Sequence, residues 1–160
     1  QFSMVPMNLL GPGATADYID AGSWGEKAVK EAKKVGAANL AASTKGENYS
    51  RLPAQADLTL TPGAAYVHMT SNNTIEGTEY KEPPEVGDAP LVSDSSSDMF
   101  SRPIDITRYG LVYAGAQKNM GPAGVTVVII RDDLLARSAG KKSSLPTGPK
   151  WKRRLAVSRK

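Results

Sequence analysis

The chain has 160 residues, of which 40% are hydrophobic and 22% are charged, a size and composition typical of one folded domain. It contains no cysteine, which excludes a disulfide framework and a thiolate site. The net charge is +4, but residues 136–160 hold nine of the 20 basic side chains and no acidic one. Residues 1–135 therefore carry 11 basic and 16 acidic side chains, and we do not expect this part of the chain to bind nucleic acid.

The first residues form an apolar run, residues 1–10, that lacks an initiator methionine, which predicts a piece of a longer protein. They also lack the basic start and the cleavage pattern of a secretory signal. The longest apolar run, residues 125–130, is too short to cross a bilayer. We therefore expect a cytoplasmic protein with no membrane segment.

A helix is predicted from residue 23 to residue 35. Ser23 and Glu26 have the spacing of a capping box, and Gly36 ends the pattern. Apolar residues recur at helical intervals between them: Trp24, Ala28, Val29, Ala32 and Val35. Residues 41–63 are polar and broken by proline and glycine, so we expect mostly loop there, with a short strand possible at residues 58–60.

Four short apolar runs follow, and each is interpreted as a buried strand: residues 64–69, 89–92, 111–114 and 125–130. Their nearly continuous hydrophobicity favours a mainly parallel sheet in an α/β fold, with flanking helices. Residues 131–135 look like the start of a helix. The segments that link the strands are too poor in helix-forming residues to cover both faces of such a sheet.

Lys118 lies in a loop of small residues, residues 113–124, between two of these runs. Small residues would let a flat ligand approach the backbone, and we expect the lysine to be buried there. A lysine amine that the flanking apolar runs hold in place suggests carbonyl chemistry, in which the amine forms a Schiff base with an aldehyde. A Walker-type phosphate loop is disfavoured because its lysine follows the glycines.

Ligands bind beyond the carboxyl ends of the strands in an open parallel sheet. Three candidate residues lie there: Thr74, Asp94 and Lys118. A hydroxyl, a carboxylate and an amine are what pyridoxal 5'-phosphate requires. Asp94 is preferred to Asp98, because the serines before Asp98 favour a turn. Trp24 could lay its indole against a cofactor ring. No metal site is predicted.

Four blocks of the chain resemble the phosphoserine aminotransferase family, a class-V, fold-type I family that uses pyridoxal phosphate. They are residues 16–24, 68–77, 101–105 and 113–125, and their order and spacing agree with the family. The resemblance covers residues 1–135 and implies part of the large cofactor-binding domain. Residues 136–160 do not resemble the family and are predicted to be a disordered basic tail.

The resemblance implies a role for each candidate residue. Lys118 would bond the cofactor aldehyde and move the proton between substrate and cofactor, and Asp94 would pair with the ring nitrogen. Trp24 would stack on the ring, Thr74 would bond near the phenolic oxygen and Gln117 would help to hold the phosphate. His68 is then interpreted as an ordinary strand residue and Arg102 as a structural ion-pair partner.

The reaction that this implies moves an amino group between L-glutamate and 3-phosphohydroxypyruvate, in a homodimeric enzyme of serine biosynthesis. The family's glycine-rich phosphate turn and its smaller C-terminal domain are outside these 160 residues, so we expect little or no activity from the chain alone. Two alternatives stay open: a fold-type I enzyme with another substrate, and a non-catalytic protein whose basic tail binds nucleic acid.

Overall fold

A computed structural model describes residues 1–139. Within that range, the helices are α1 (Met4–Leu9), α2 (Ser23–Lys33) and α3 (Asp132–Ala139). The strands are β1 (Thr15–Asp20), β2 (Ala37–Ser43), β3 (Val67–Thr70), β4 (Asn72–Asn73), β5 (Thr78–Glu79), β6 (Leu91–Asp94), β7 (Leu111–Gly115) and β8 (Thr126–Ile130). No helix in this range is long and apolar enough to cross a membrane.

Six of the strands form one sheet in the order β2-β1-β3-β6-β7-β8, and β4 and β5 form a small hairpin. Every neighbouring pair in the large sheet is parallel except β7 and β8, which are antiparallel. The predicted α/β fold with a mainly parallel sheet is confirmed. The parallel strands end at a common edge, and the antiparallel β8 begins at that edge.

The two faces of the sheet are covered in different ways. The three helices pack on one face, in a single core that includes Val5, Ala28 and Leu134. The opposite core contains no helical residue and is closed by irregular segments that contribute Leu58 and Val86. This agrees with the predicted shortage of helix-forming residues between the strands, since the three helices cover only one face of the sheet.

The predicted helix is confirmed as α2, but the predicted capping box is wrong. The cap residue is Gly22, and no side chain from the helix itself caps the end. Instead, the backbone N–H and the hydroxyl of Ser23 donate to Oε1 of Glu76, at 2.8 and 2.6 Å. Glu26 pairs with Lys30 and Lys45, each at 2.8 Å. The spacing of Ser23 and Glu26 could not show that Glu76, which is distant in the sequence, accepts the hydrogen bonds at the start of this helix.

Strands β1 and β2 were not predicted, because polar residues interrupt both. Asp17 in β1 is fully buried, yet the backbone N–H and the hydroxyl of Thr61 donate to its carboxylate, at 2.6 and 2.7 Å. A carboxylate with such partners can be buried in a strand. The possible strand at residues 58–60 is wrong, since those residues have no regular structure.

The four predicted strands correspond to β3, β6, β7 and β8, with small shifts at their ends. The predicted helix start at residues 131–135 is confirmed as α3, which continues to Ala139. The expected boundary after Leu135 therefore falls inside a helix. The rest of the predicted disordered tail, residues 140–160, lies outside the described residues.

Candidate active site

A cavity of about 260 Å³ opens at the edge of the sheet where the parallel strands end. It is lined by Gln1, Phe2, Trp24, Thr70, Asn72, Asp94, Ser96, Ser97, Tyr113, Gly115, Gln117, Lys118 and Thr126. Four of the five predicted site residues are in this lining, and the fifth, Thr74, contacts one of them. The structure thus brings together side chains from α2, β6 and the loop after β7.

Lys118 lies three residues after the end of β7 and reaches back over the cavity. Its Nζ donates to Oγ1 of Thr74 at 2.9 Å and lies 5.8 Å from the ring centroid of Trp24. The expectation that this lysine is buried is wrong, because its side chain is exposed at the rim. Because Lys118 is exposed and lines the cavity, a ligand that enters the cavity can reach it.

The glycines of this loop differ in their surroundings. A Cβ atom on Gly115 would lie 2.5 Å from Oε1 of Gln117, so this glycine makes room for the glutamine side chain. A Cβ on Gly121 would meet nothing within 4 Å. Asn119 anchors the loop by donating to the carbonyl of Met99 at 2.7 Å. Gly115 thus leaves space at the cavity that the Gln117 side chain occupies.

Asp94 is the last residue of β6 and is 7% exposed. Burial raises the pKa of its carboxyl group, although hydrogen bonds to the charged form act in the opposite direction. The backbone N–H and the hydroxyl of Ser96 donate to Oδ1, at 3.1 and 2.6 Å. A buried carboxylate of this kind is stabilised by a cation that enters the cavity.

Trp24 lies in the first turn of α2 and forms one wall of the cavity. The Nζ of Lys27 lies 4.2 Å from its ring centroid, so two lysines approach the same indole. The indole Nε1 is buried and has no hydrogen-bond partner among residues 1–139. Its orientation is therefore set by packing and by its cationic neighbours rather than by a hydrogen bond.

Several lining residues were missed from the sequence. Asn72 and Ser96 follow parallel strands, so the rule about strand ends could have found them. Thr126 could not be found in that way, because it begins the antiparallel β8, whose direction was not predicted. Tyr113 lies inside β7, and no pattern in the sequence distinguishes it from a core residue.

Two residues that were set aside behave as expected. The guanidinium of Arg102 donates to Oε1 of Glu79 at 3.0 Å and to the carbonyl of Tyr80 at 2.6 Å, which confirms a structural ion pair. Asp98 accepts a hydrogen bond from Ser71 at 2.6 Å and is not in the cavity lining. Among residues 1–139, no group of three acidic, histidine or cysteine side chains is placed to hold a metal ion.

The chain is similar to a known family of proteins over most of its length. The family described as "Aminotransferase class-V" matches residues 1–146. A phosphoserine aminotransferase of Herpetosiphon aurantiacus is 54% identical over 139 residues, which are 87% of this chain and 39% of that protein. The match to the family extends past Leu135, where the resemblance was expected to end.

Two solved structures are also similar. The phosphoserine aminotransferase of Bacillus circulans subsp. alkalophilus has 55% identity and a TM-score of 0.83, over 85% of this chain and 38% of that one. The pyridoxal-phosphate-bound phosphoserine aminotransferase of Trichomonas vaginalis has 39% identity and a TM-score of 0.82, over 91% of this chain and 41% of that one. The chain belongs to the class-V aminotransferase family, and it spans about 40% of the length of these relatives.

Proposed function

We propose that this chain carries part of the active site of a pyridoxal-phosphate-dependent aminotransferase. The enzyme would transfer an amino group between L-glutamate and 3-phosphohydroxypyruvate, giving O-phospho-L-serine and 2-oxoglutarate. The observation that supports this best is that an accessible amine, Lys118, and a buried carboxylate, Asp94, line one cavity. The identity of 54–55% with phosphoserine aminotransferases supports the choice of substrates.

The residues of the cavity fit the proposed cofactor. Its flat ring matches a wall formed by the Trp24 indole, whose buried Nε1 makes no competing hydrogen bond among the described residues. A protonated ring nitrogen would supply a cation beside the buried Asp94 carboxylate. Gln117 is exposed at the rim, where its amide could donate to a phosphate oxygen.

When bound, pyridoxal phosphate supplies an electron sink for the electrons left on the substrate Cα when its proton is removed. Lys118 would hold the aldehyde carbon and, once the substrate amine has displaced it, would act as the base that moves the proton at the substrate Cα. Thr74 accepts a hydrogen bond from the Lys118 amine and so keeps it pointing over the cavity. Asp94 would keep the ring nitrogen protonated, which strengthens the withdrawal of electrons from the substrate.

The remaining expectations about the whole protein are part of this proposal. We propose a cytoplasmic homodimer in which residues 1–135 belong to the large cofactor-binding domain. The low activity expected of the 160-residue chain follows from its length relative to the family members. The cofactor is the first target for experiment, because the residues proposed to hold it are all among those that the structure describes.

The experiment is reduction with borohydride in the presence of pyridoxal phosphate, followed by peptide mapping of the 160-residue chain. We expect the label on Lys118, and Lys118→Ala should lose it. Lys27→Ala is the matched control, because the Lys27 amine lies closer to the Trp24 ring, at 4.2 Å, than the Lys118 amine does. A label on Lys27, or one spread over exposed lysines, would refute the proposed cofactor site.

The substrate is tested separately, on a complete enzyme that contains this segment. Turnover with 3-phosphohydroxypyruvate should greatly exceed turnover with pyruvate, since only the former carries a phosphate for charged groups to recognise. Equal turnover would favour the alternative of a fold-type I enzyme with another substrate. Most of the basic tail, residues 140–160, lies outside the described residues, so the structure does not test a nucleic-acid function.

A further inference from the structure

His68 is the single histidine of the chain, and it lies fully inside the helical face of the sheet, 1% exposed. Its ring stacks on Tyr18, with centroids 5.0 Å apart and planes 24° from parallel. The ring of Phe2 packs edge-on against it at 6.4 Å. These contacts fix the orientation of the imidazole, which does not line the cavity.

One residue connects His68 to the cavity. The imidazole Nε2 lies 2.9 Å from the hydroxyl oxygen of Tyr113, and Tyr113 lines the cavity. Tyr113 and Asp94 are register partners on the neighbouring parallel strands β7 and β6, and both line the cavity. Burial, and after it the charge of the Asp94 carboxyl group, raises the pKa of Tyr113 well above its usual range. Side chains from three adjacent strands thus lie in series, with the Asp94 carboxyl group at the cavity end.

The direction of the hydrogen bonds follows from burial. Burial lowers the pKa of His68 to about 3, so the imidazole is neutral and carries one N–H. Its Nδ1 is buried without a partner among residues 1–139. A buried N–H without an acceptor is less common than an unused acceptor, so the proton belongs on Nε2. The Nε2–H then donates to Tyr113, which leaves the Tyr113 hydrogen to point at Asp94.

We propose that His68 is a positioning residue that acts through Tyr113, aiming the Tyr113 hydroxyl hydrogen at Asp94 and thereby favouring the ionised carboxylate. The functional meaning of this relay rests on the proposed cofactor site, where an ionised Asp94 would meet a protonated ring nitrogen. The physical arrangement itself is a property of the cofactor-free chain. It opposes the effect of burial, which favours the protonated carboxyl group.

The first test needs no variant, because one histidine gives one set of ring nitrogen signals. Nitrogen-15 NMR of the 160-residue chain should show a neutral imidazole with its proton on Nε2, from about pH 8 down to about pH 5. A proton on Nδ1 would overturn the relay. So would an imidazole that becomes charged within this range, since it would then donate in both directions.

The second test measures the Asp94 carboxyl titration by carbon-13 NMR in the cofactor-free chain. Tyr113→Phe removes the donor, so the pKa of Asp94 should rise above its value in the unaltered chain. His68→Leu should act in the same direction, and His68→Gln should restore part of the effect because its amide can donate to Tyr113. Tyr66→Phe is the matched control: its hydroxyl is equally buried but bonds to Tyr18, at 2.7 Å.

An equal change in Tyr113→Phe and Tyr66→Phe would mean that only core packing is involved, and the relay would be refuted. Should Tyr113→Phe fail to fold, the position of the His68 proton and the two His68 variants still decide the question.

In the cofactor assay, Tyr113→Phe loses one charge-assisted hydrogen bond, which should weaken pyridoxal phosphate retention by about tenfold. Failure of the unaltered chain to be labelled at Lys118 refutes the proposed function, whereas unchanged Asp94 titration refutes the relay alone.

Discussion

The Lys118 amine donates to the Thr74 hydroxyl across 2.9 Å, although the two residues are 44 positions apart in the chain. One residue follows β7 and the other lies in the turn between β4 and β5. The contact holds an exposed lysine over the cavity rather than out in solvent. It joins two loops that would otherwise be independent.

Thr74→Val should therefore weaken the reaction of Lys118 with pyridoxal phosphate. The change removes one exposed hydrogen bond, so we expect a loss of about two- to tenfold in the equilibrium for labelling, measured by titration before borohydride reduction. Thr74→Ser keeps the hydroxyl and should behave like the unaltered chain. If the valine and serine variants were labelled equally, the hydrogen bond would have no part in holding the amine.

Asp94→Asn should weaken retention of the cofactor and stabilise the cofactor-free chain. The amide keeps the shape of the side chain but cannot attract a ring cation, so retention should fall by about 10- to 100-fold. Burial penalises the charge of the Asp94 carboxylate in the cofactor-free chain, and the neutral amide avoids that cost. Equilibrium dialysis measures the first effect, and urea unfolding at pH 7 measures the second.

The same residue predicts a pH dependence. The pKa of Asp94 is raised in the folded state above its ordinary value of 3.8. In the pH interval between 3.8 and this raised pKa, the folded chain therefore binds more protons than the unfolded chain does. The free energy of unfolding therefore falls as the pH rises through the interval, and the Asp94→Asn variant lacks this fall. Asp88→Asn, at an exposed position, is the control and should keep it. A difference curve between Asp94→Asn and the unaltered chain that stays flat with pH would contradict the raised pKa.

Glu76→Ala should destabilise the fold more than Glu26→Ala does. Glu76 accepts both hydrogen bonds of Ser23 at the start of α2, and loss of such a cap costs about 1 kcal/mol. Glu26 makes only ion pairs with exposed lysines, which contribute little. Urea unfolding of the two variants decides between this arrangement and the capping box that the sequence predicted. The reverse order of stability would favour the capping box.

Gly115→Ala should impair cofactor retention with little effect on folding. The new Cβ would meet the end of the flexible Gln117 side chain at 2.5 Å and would push that amide away from the cavity. Gly121→Ala, in the same loop, adds a Cβ with nothing within 4 Å and should change neither property. Dialysis with pyridoxal phosphate and a thermal unfolding curve compare the two variants. Equal retention in both would remove Gln117 from the proposed phosphate site.

The sequence by itself determined the α/β class, helix α2, four strands, and the side chains that follow the strand ends. These features depend on local patterns: apolar runs, helical spacing, and the rule that ligands lie beyond parallel strands. Asp94 and Lys118 could be chosen in this way because each follows a recognisable strand. The family blocks added Gln117 and strengthened the choice of Thr74.

Only the tertiary structure decided which distant groups meet. The cap of α2 by Glu76, the contact of Lys118 with Thr74 and the chain from His68 through Tyr113 to Asp94 all depend on strand order and register. Asp17 can be buried in β1 because the backbone N–H and the hydroxyl of Thr61 donate to its carboxylate. The sequence of β1 alone cannot show this contact. Hydrogen bonds of this kind satisfy buried polar groups over long separations in the chain, whereas a sequence pattern reports only on near neighbours.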